Sequence, residues 1–251
     1  MAKRSTKKPA AKKKATSKKA VKPLPGTGII AKARRWFWRA VFAAVICIVA
    51  ITALYAVVNP PITPYMFSER RTHGYLERTF VPLEEIAPVM ARSAVAAEDA
   101  NFCLHWGLDV DAIRSRIENG GSGGASTISQ QVIKNAFLWH GRSWTRKALE
   151  AGWTPLAEAM WSKARMLEIY LNIAEFDTGV FGVQAASRHY FGINANELNA
   201  VQAARLAAIL PAPKLRSASD PSASVRRRAA SILDGAETIR ADGRAACFAG
   251  E

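Results

Sequence analysis

The feature that most limits what this chain can become is a run of nineteen residues without a charge, Ala40 to Val58 (AVFAAVICIVAITALYAVV), set behind a strongly basic N-terminus. At about 1.5 Å per residue such a helix crosses roughly 30 Å of hydrocarbon. It is apolar on every face, more than one side of a globular core needs, so it predicts a transmembrane helix. Asn59-Pro60-Pro61 offers no small-residue cleavage site, which makes the segment an uncleaved anchor. Lys32, Arg34, Arg35 and Arg39 flank its start, with Trp36 and Trp38 at interface depth. By the positive-inside rule the N-terminus stays in the cytoplasm and everything from Asn59 onward is exported.

Three regions follow: residues 1–39 as a disordered basic tail, 40–58 as a single-pass anchor in the cytoplasmic (inner) membrane, and 59–251 as a periplasmic domain. Fourteen of the 35 Lys and Arg residues fall in the tail, which holds no acid. Built from Lys, Ala, Pro, Ser and Thr, it cannot bury enough surface to offset its ordering entropy. Its charge suits anionic inner-leaflet lipid, and no nucleic-acid role is expected. Of the three cysteines, Cys103 and Cys247 reach the oxidising side; the sequence leaves their pairing open.

The exported part reads as mainly helical, without useful strand alternation. Helices are expected over Leu83–Glu98, Leu156–Phe176 and Glu197–Leu210, with a closing helix and a frayed end after Pro213. Asn119–Ala125, with four glycines, reads as a mobile loop running into Ser126 as a helix N-cap.

Four blocks carry chemistry. In the first (EDANFCLHWGLD), adjacent carboxylates Glu98 and Asp99 end an apolar helix, and a carboxylate against apolar surface has a raised pKa suited to acid or base work. The second (GGASTISQQVIKN) is a glycine-rich approach to a helix whose first turn offers N–H groups to a phosphate, with Lys134 two turns in. The third (RSWTRKALE) sets Arg142, Arg146 and Lys147 near Glu150, and the fourth runs from Lys163 through Glu168 and Asn172. Singly, each is as well explained by a solvated helix end, a flexible connector, an exposed ion pair or a polar face. Together, in one exported chain, they assemble an acid, a phosphate site and cations.

In this order the blocks resemble the motifs of the peptidoglycan glycosyltransferases, the family shared by bifunctional penicillin-binding proteins and stand-alone biosynthetic transglycosylases. The resemblance spans about Glu84 to Pro213 and is nearest the monofunctional type, since about forty residues follow Pro213. It implies a mainly α-helical, lysozyme-like domain that polymerises lipid II, with inversion at the donor anomeric carbon and release of undecaprenyl pyrophosphate. Glu98 matches the family's catalytic base. Lys134, Arg142 and Arg146 match positions that bind the donor pyrophosphate. Glu150 matches a second essential carboxylate that either orients those cations or helps to hold a divalent metal. Asp99, Phe102, His105, Thr127, Gln131 and Asn135 fall on positions that shape the cleft.

No organic cofactor is implied; the partners would be lipid II, the growing strand, the bilayer and cell-wall synthesis or division proteins. Trp139, Trp144, Trp153 and Trp161 are suited to the membrane interface, and core packing explains some of them equally well. Pro155 is expected to kink or break the helix carrying Glu150. Two rivals remain: a lysozyme-type glycan hydrolase, and a membrane-tethered envelope-binding protein without turnover.

Overall fold

A computed structural model describes residues 27–118, 126–141 and 143–249. Most of the expected tail (1–26), the glycine loop (119–125) and Arg142 lie outside them.

The apolar stretch forms helix α1, Thr27–Tyr55. It starts earlier than its uncharged run because residues 29–39 hold no helix breaker, so residues 27–39 are helical rather than tail. The chain divides into two compact units, Met1–Cys47 and Ile48–Glu251. In the first, Arg39 stands over the Trp36 ring and Phe37 packs edge-on against Trp38, all at the basic end of α1.

In the second unit, the last turns of α1 are held by the domain. Trp153 Nε1 donates to Thr52 Oγ1 (2.8 Å), Trp161 Nε1 to the Thr52 carbonyl (2.7 Å), and Tyr55 stacks on Phe137. Two tryptophans expected at the interface are thus spent on internal packing, and Trp161 is buried. Trp139 and Trp144 remain exposed.

The domain continues with α2 (Pro64–His73), α3 (Pro88–Glu98), α4 (Val110–Glu118), α5 (Ile128–Phe137), α6 (Trp144–Met160), α7 (Lys163–Ile173), α8 (Val183–Phe191), α9 (Ala200–Ile209) and α10 (Ala223–Ala241). Helix α5 packs against α6 and α7, while α3, α9 and α10 pack on one another. Three short strands, β1 (Glu77–Arg78), β2 (Glu175–Asp177) and β3 (Val180–Phe181), form a sheet ordered β1-β3-β2. Two or three residues are too few to show alternation, which hid them in the sequence.

Several expected boundaries move for stated reasons. Leu83–Glu85 is a 3₁₀ turn and α3 begins only at Pro88, because proline fits the first turn of a helix but not its interior. The helix expected over Leu156–Phe176 breaks at Ser162, whose hydroxyl caps α7 by accepting from the Arg165 N–H. Helix α9 starts after the Asn199 cap, leaving Glu197 in a 3₁₀ turn. Pro155 lies inside α6 without ending it: the Thr154 hydroxyl donates to the Glu150 carbonyl beside the missing N–H. The C-terminal end is secured rather than frayed, with Phe248 buried and Cys247 in a disulfide with Cys103.

Candidate active site

Helix α3 delivers Glu98 at its last residue and Asp99 at its C-cap, both turned inward rather than solvated. Asp99 is fully engaged. Its Oδ1 pairs with His105 Nε2 (2.8 Å), and its Oδ2 accepts from the Ile128 N–H at the start of α5 (3.0 Å).

Thr127 caps the same helix in a reciprocal box with Gln130, and its hydroxyl donates to the Gly107 carbonyl (2.6 Å). The N-terminus of α5 is therefore occupied by the chain's own carboxylate and hydroxyl, which corrects the expectation that it holds a phosphate. Phe102 is fully buried and Thr127 nearly so. With Asp99 and His105, they brace the cleft from behind.

Gln131, Lys134 and Asn135 line the cleft itself. It has a volume of about 270 Å³, and Tyr65, His140, Tyr170, Glu175 and the Leu210–Pro213 turn form its other walls. Gln131 Nε2 donates to Glu98 Oε2 (2.9 Å), fixing the carboxylate, while Glu98 Oε1 is buried without a hydrogen-bond partner. Burial raises the Glu98 pKa above the usual carboxylate range, against the Gln131 hydrogen bond and the cations Arg228 and Lys134, which lower it. Burial pushes the Lys134 ammonium down, with Glu150 and Glu98 opposing and Arg146 and Lys147 assisting. Lys134 thus stands within electrostatic reach of both carboxylates.

Glu150 is buried, not an exposed surface pair. Its oxygens meet Arg146 Nη1 (2.6 Å) and Lys147 Nζ, and Lys147 also reaches Ser126 Oγ (3.0 Å). With both oxygens on cations and Lys134 nearby, the donor set does not fit a resident divalent metal. The cluster Asp99, His105 and Asp109 fits no better. Asp109 is spent on the Ala112 N–H and Asn101, and Asp99 on His105 and Ile128.

Three groups escaped the sequence reading. Arg228 of α10 lies 3.6 Å from Glu98 Oε1. Glu158 of α6 forms a buried network with Ser129 and Lys163. On the far wall, Tyr65 hydrogen-bonds Glu175, Lys214 bridges Glu69 and Glu175, and His140 stacks on Tyr65. Burial, reinforced by neighbouring Lys134 and Arg146, lowers His140 to about 4, so it is neutral at physiological pH. Tyr65 and Glu175 are 110 residues apart, and no local signal joins them.

A family model described as Transglycosylase matches residues 67–237, a span that takes in the cleft lining except Tyr65. The chain belongs to the transglycosylase family. Among curated relatives, a biosynthetic peptidoglycan transglycosylase of Jannaschia sp. (strain CCS1) is 55% identical, the alignment covering 93% of this chain and 98% of the relative. A protein of the same name from Pseudomonas fluorescens (strain SBW25) is 48% identical over 78% of this chain and 85% of its own length. One from Caulobacter vibrioides is 42% identical over 80% and 90%. In this transglycosylase, four motif segments distant in sequence converge on one cleft and its supports.

Proposed function

We propose that this transglycosylase polymerises lipid II into the glycan strands of peptidoglycan at the outer face of the cytoplasmic membrane. The observation that carries the reading is the Glu98 carboxylate, held on one oxygen by Gln131 and without a hydrogen bond on the other, where Gln131 and half-buried Lys134 line the cleft. In the forward step Glu98 takes the proton of the acceptor's 4-hydroxyl. The freed oxygen pair forms a bond to the donor anomeric carbon from the face opposite the leaving group. The bond from that carbon to the pyrophosphate oxygen breaks, and its electron pair leaves with the lipid pyrophosphate.

The pyrophosphate is already a good leaving group, so positioning and charge stabilisation are the protein's main tasks. Lys134 and Arg146 meet that charge, Arg142 joins them by the resemblance, and Glu150 orients the cations. No step passes through a metal. A raised carboxyl at Glu98 would also suit a hydrolase's general acid, but Lys134 in the cleft, with Arg146 and Lys147 in electrostatic reach of it, serves a phosphate leaving group that glycan hydrolysis lacks.

In the same reading α1 anchors the chain, its basic end keeps the N-terminus in the cytoplasm, and exposed Trp139 and Trp144 meet the bilayer surface. The test is polymerisation of labelled lipid II by detergent-purified protein. Glu98→Gln is expected to lose on the order of 10²- to 10⁴-fold in rate while remaining folded. Wild-type protein that shortens preformed strands and makes no polymer would overturn the reading in favour of the hydrolase.

A further inference from the structure

Helix α10 follows the four motif blocks, and the sequence pattern gave it no role. Its buried face, Val225, Ala229, Ile232, Ala236 and Ile239, packs on α9 and α3. Gly235 brings it close to α3: a Cβ there would lie 3.2 Å from the Ala96 methyl. Of the three consecutive arginines in its first turns, Arg226 and Arg227 are exposed, whereas Arg228 turns toward the end of α3. There Arg228 Nη2 donates to the Ala97 carbonyl (3.2 Å) and stands 3.6 Å from Glu98 Oε1, the oxygen that Gln131 leaves unpartnered. A cation at a helix C-terminus is favourable in itself, and this one also faces the carboxylate beyond the last turn.

Resting on the reading of Glu98 as the base, we propose that Arg228 is a positioning residue for the reaction: it steadies the anionic, proton-accepting form of Glu98 and sets the lower edge of the working pH range. Lys134 and Gln131 reach the same carboxylate from α5, Asp99 adjoins it at the end of α3, and Tyr170 of α7 senses its charge. Of these, Lys134 is placed to meet the pyrophosphate and Asp99 opposes ionisation. Tyr170 is neutral, burial and the two carboxylates holding its hydroxyl well above the ordinary value. That leaves Arg228 as the cation free to act on the base throughout the cycle.

The experiment is kcat and KM against pH for the full chain in detergent, comparing wild type, Arg228→Gln, Arg228→Lys and Glu98→Gln on lipid II. Removing the cation makes Glu98 harder to ionise, so the acidic limb of the Arg228→Gln kcat profile should move up by about one pH unit. Its deficit, roughly tenfold on that limb, should shrink as pH rises, with KM little changed and Arg228→Lys restoring most of the profile. A uniform loss at every pH, or no change, overturns the proposal, because a merely structural arginine would not move the limb.

If Arg228→Gln fails to fold, the wild-type limb at low and high salt decides instead. Screening of this partly exposed pair should move it up, and an unmoved limb rejects the role. Failure of the underlying reading is separate: it shows as Glu98→Gln retaining activity, whatever the Arg228 variants do.

Discussion

Glu98 is half-buried and Glu158 buried, each close to a cation, yet the fold treats them oppositely. Glu158 is pinned through one oxygen. It accepts from Ser129 and from Lys163 Nζ (2.8 Å), and Lys163 also donates to the His105 carbonyl (2.9 Å) and lies over the Phe102 ring. Gly107 closes the network from outside: at φ +81°, a Cβ would come within 2.9 Å of Glu158 Cγ. Glu98 keeps one oxygen without a hydrogen bond, and its other oxygen is held by Gln131, which lines the cleft. A buried carboxylate pinned by a cation at bonding distance fixes structure, whereas one with an oxygen buried short of any hydrogen bond stores unfavourable electrostatics that a substrate can relieve.

The comparison breaks if the two residues respond alike to neutralisation. Glu158→Ala leaves half-buried Lys163 without its carboxylate and buried Ser129 without its acceptor, and should destabilise the fold by about 3–5 kcal/mol, read from denaturant midpoints. Glu98→Gln should do the reverse. Burial holds the Glu98 carboxyl above the ordinary range, so the folded state binds its proton more readily than the unfolded chain. Its contribution to stability is therefore present in acid and lost as pH rises through the raised value. The glutamine variant should be more stable than wild type at neutral pH, lose that advantage in acid, and be inactive throughout. A neutral-pH loss of stability would mean that Glu98 is a structural group after all.

A smaller effect sharpens the same contrast. Cys103 sits between Asp99 and His105, and its disulfide spans 144 residues to Cys247, so the segment that follows Glu98 is held by a covalent tie. Paired substitution to serine should cost about 2–5 kcal/mol, seen as a lower thermal midpoint that reductant reproduces in wild type and not in the variant. Retention of the wild-type midpoint under reductant would show that packing alone holds this segment.

The sequence made the motif residues legible because each block is a short local string. Gln131, Lys134 and Asn135 recur at helical spacing on one face of α5, and Arg146 stands one turn before Glu150. What escaped it was long-range. Arg228 meets the end of α3 across 131 residues, and Tyr65 meets Glu175 across 110. Helix ends were lost for a local reason, since the marks at Pro88, Ser162 and Asn199 were overruled by apolar periodicity running through them. Trp153 and Trp161 looked like interface residues because their partner, Thr52, lies in the apolar stretch read as lipid-facing.

The smallest test concerns Thr127, which belongs to the Glu158 side of the comparison although it lies in a motif block. Its hydroxyl accepts from the Gln130 N–H and donates to the Gly107 carbonyl, joining the start of α5 to the loop that closes over Glu158. Thr127→Ala removes one cap and one donor, and should lower stability by about 1 kcal/mol. Because Asp99 still holds the Ile128 N–H, α5 should keep its register and Gln131 its bond to Glu98. The expected signature is a shifted denaturant midpoint with kcat and the acidic limb unchanged. A loss of kcat larger than the loss of stability explains would place Thr127 at the substrate instead, and the division between bracing residues and reacting residues would have to be redrawn at the first turn of α5.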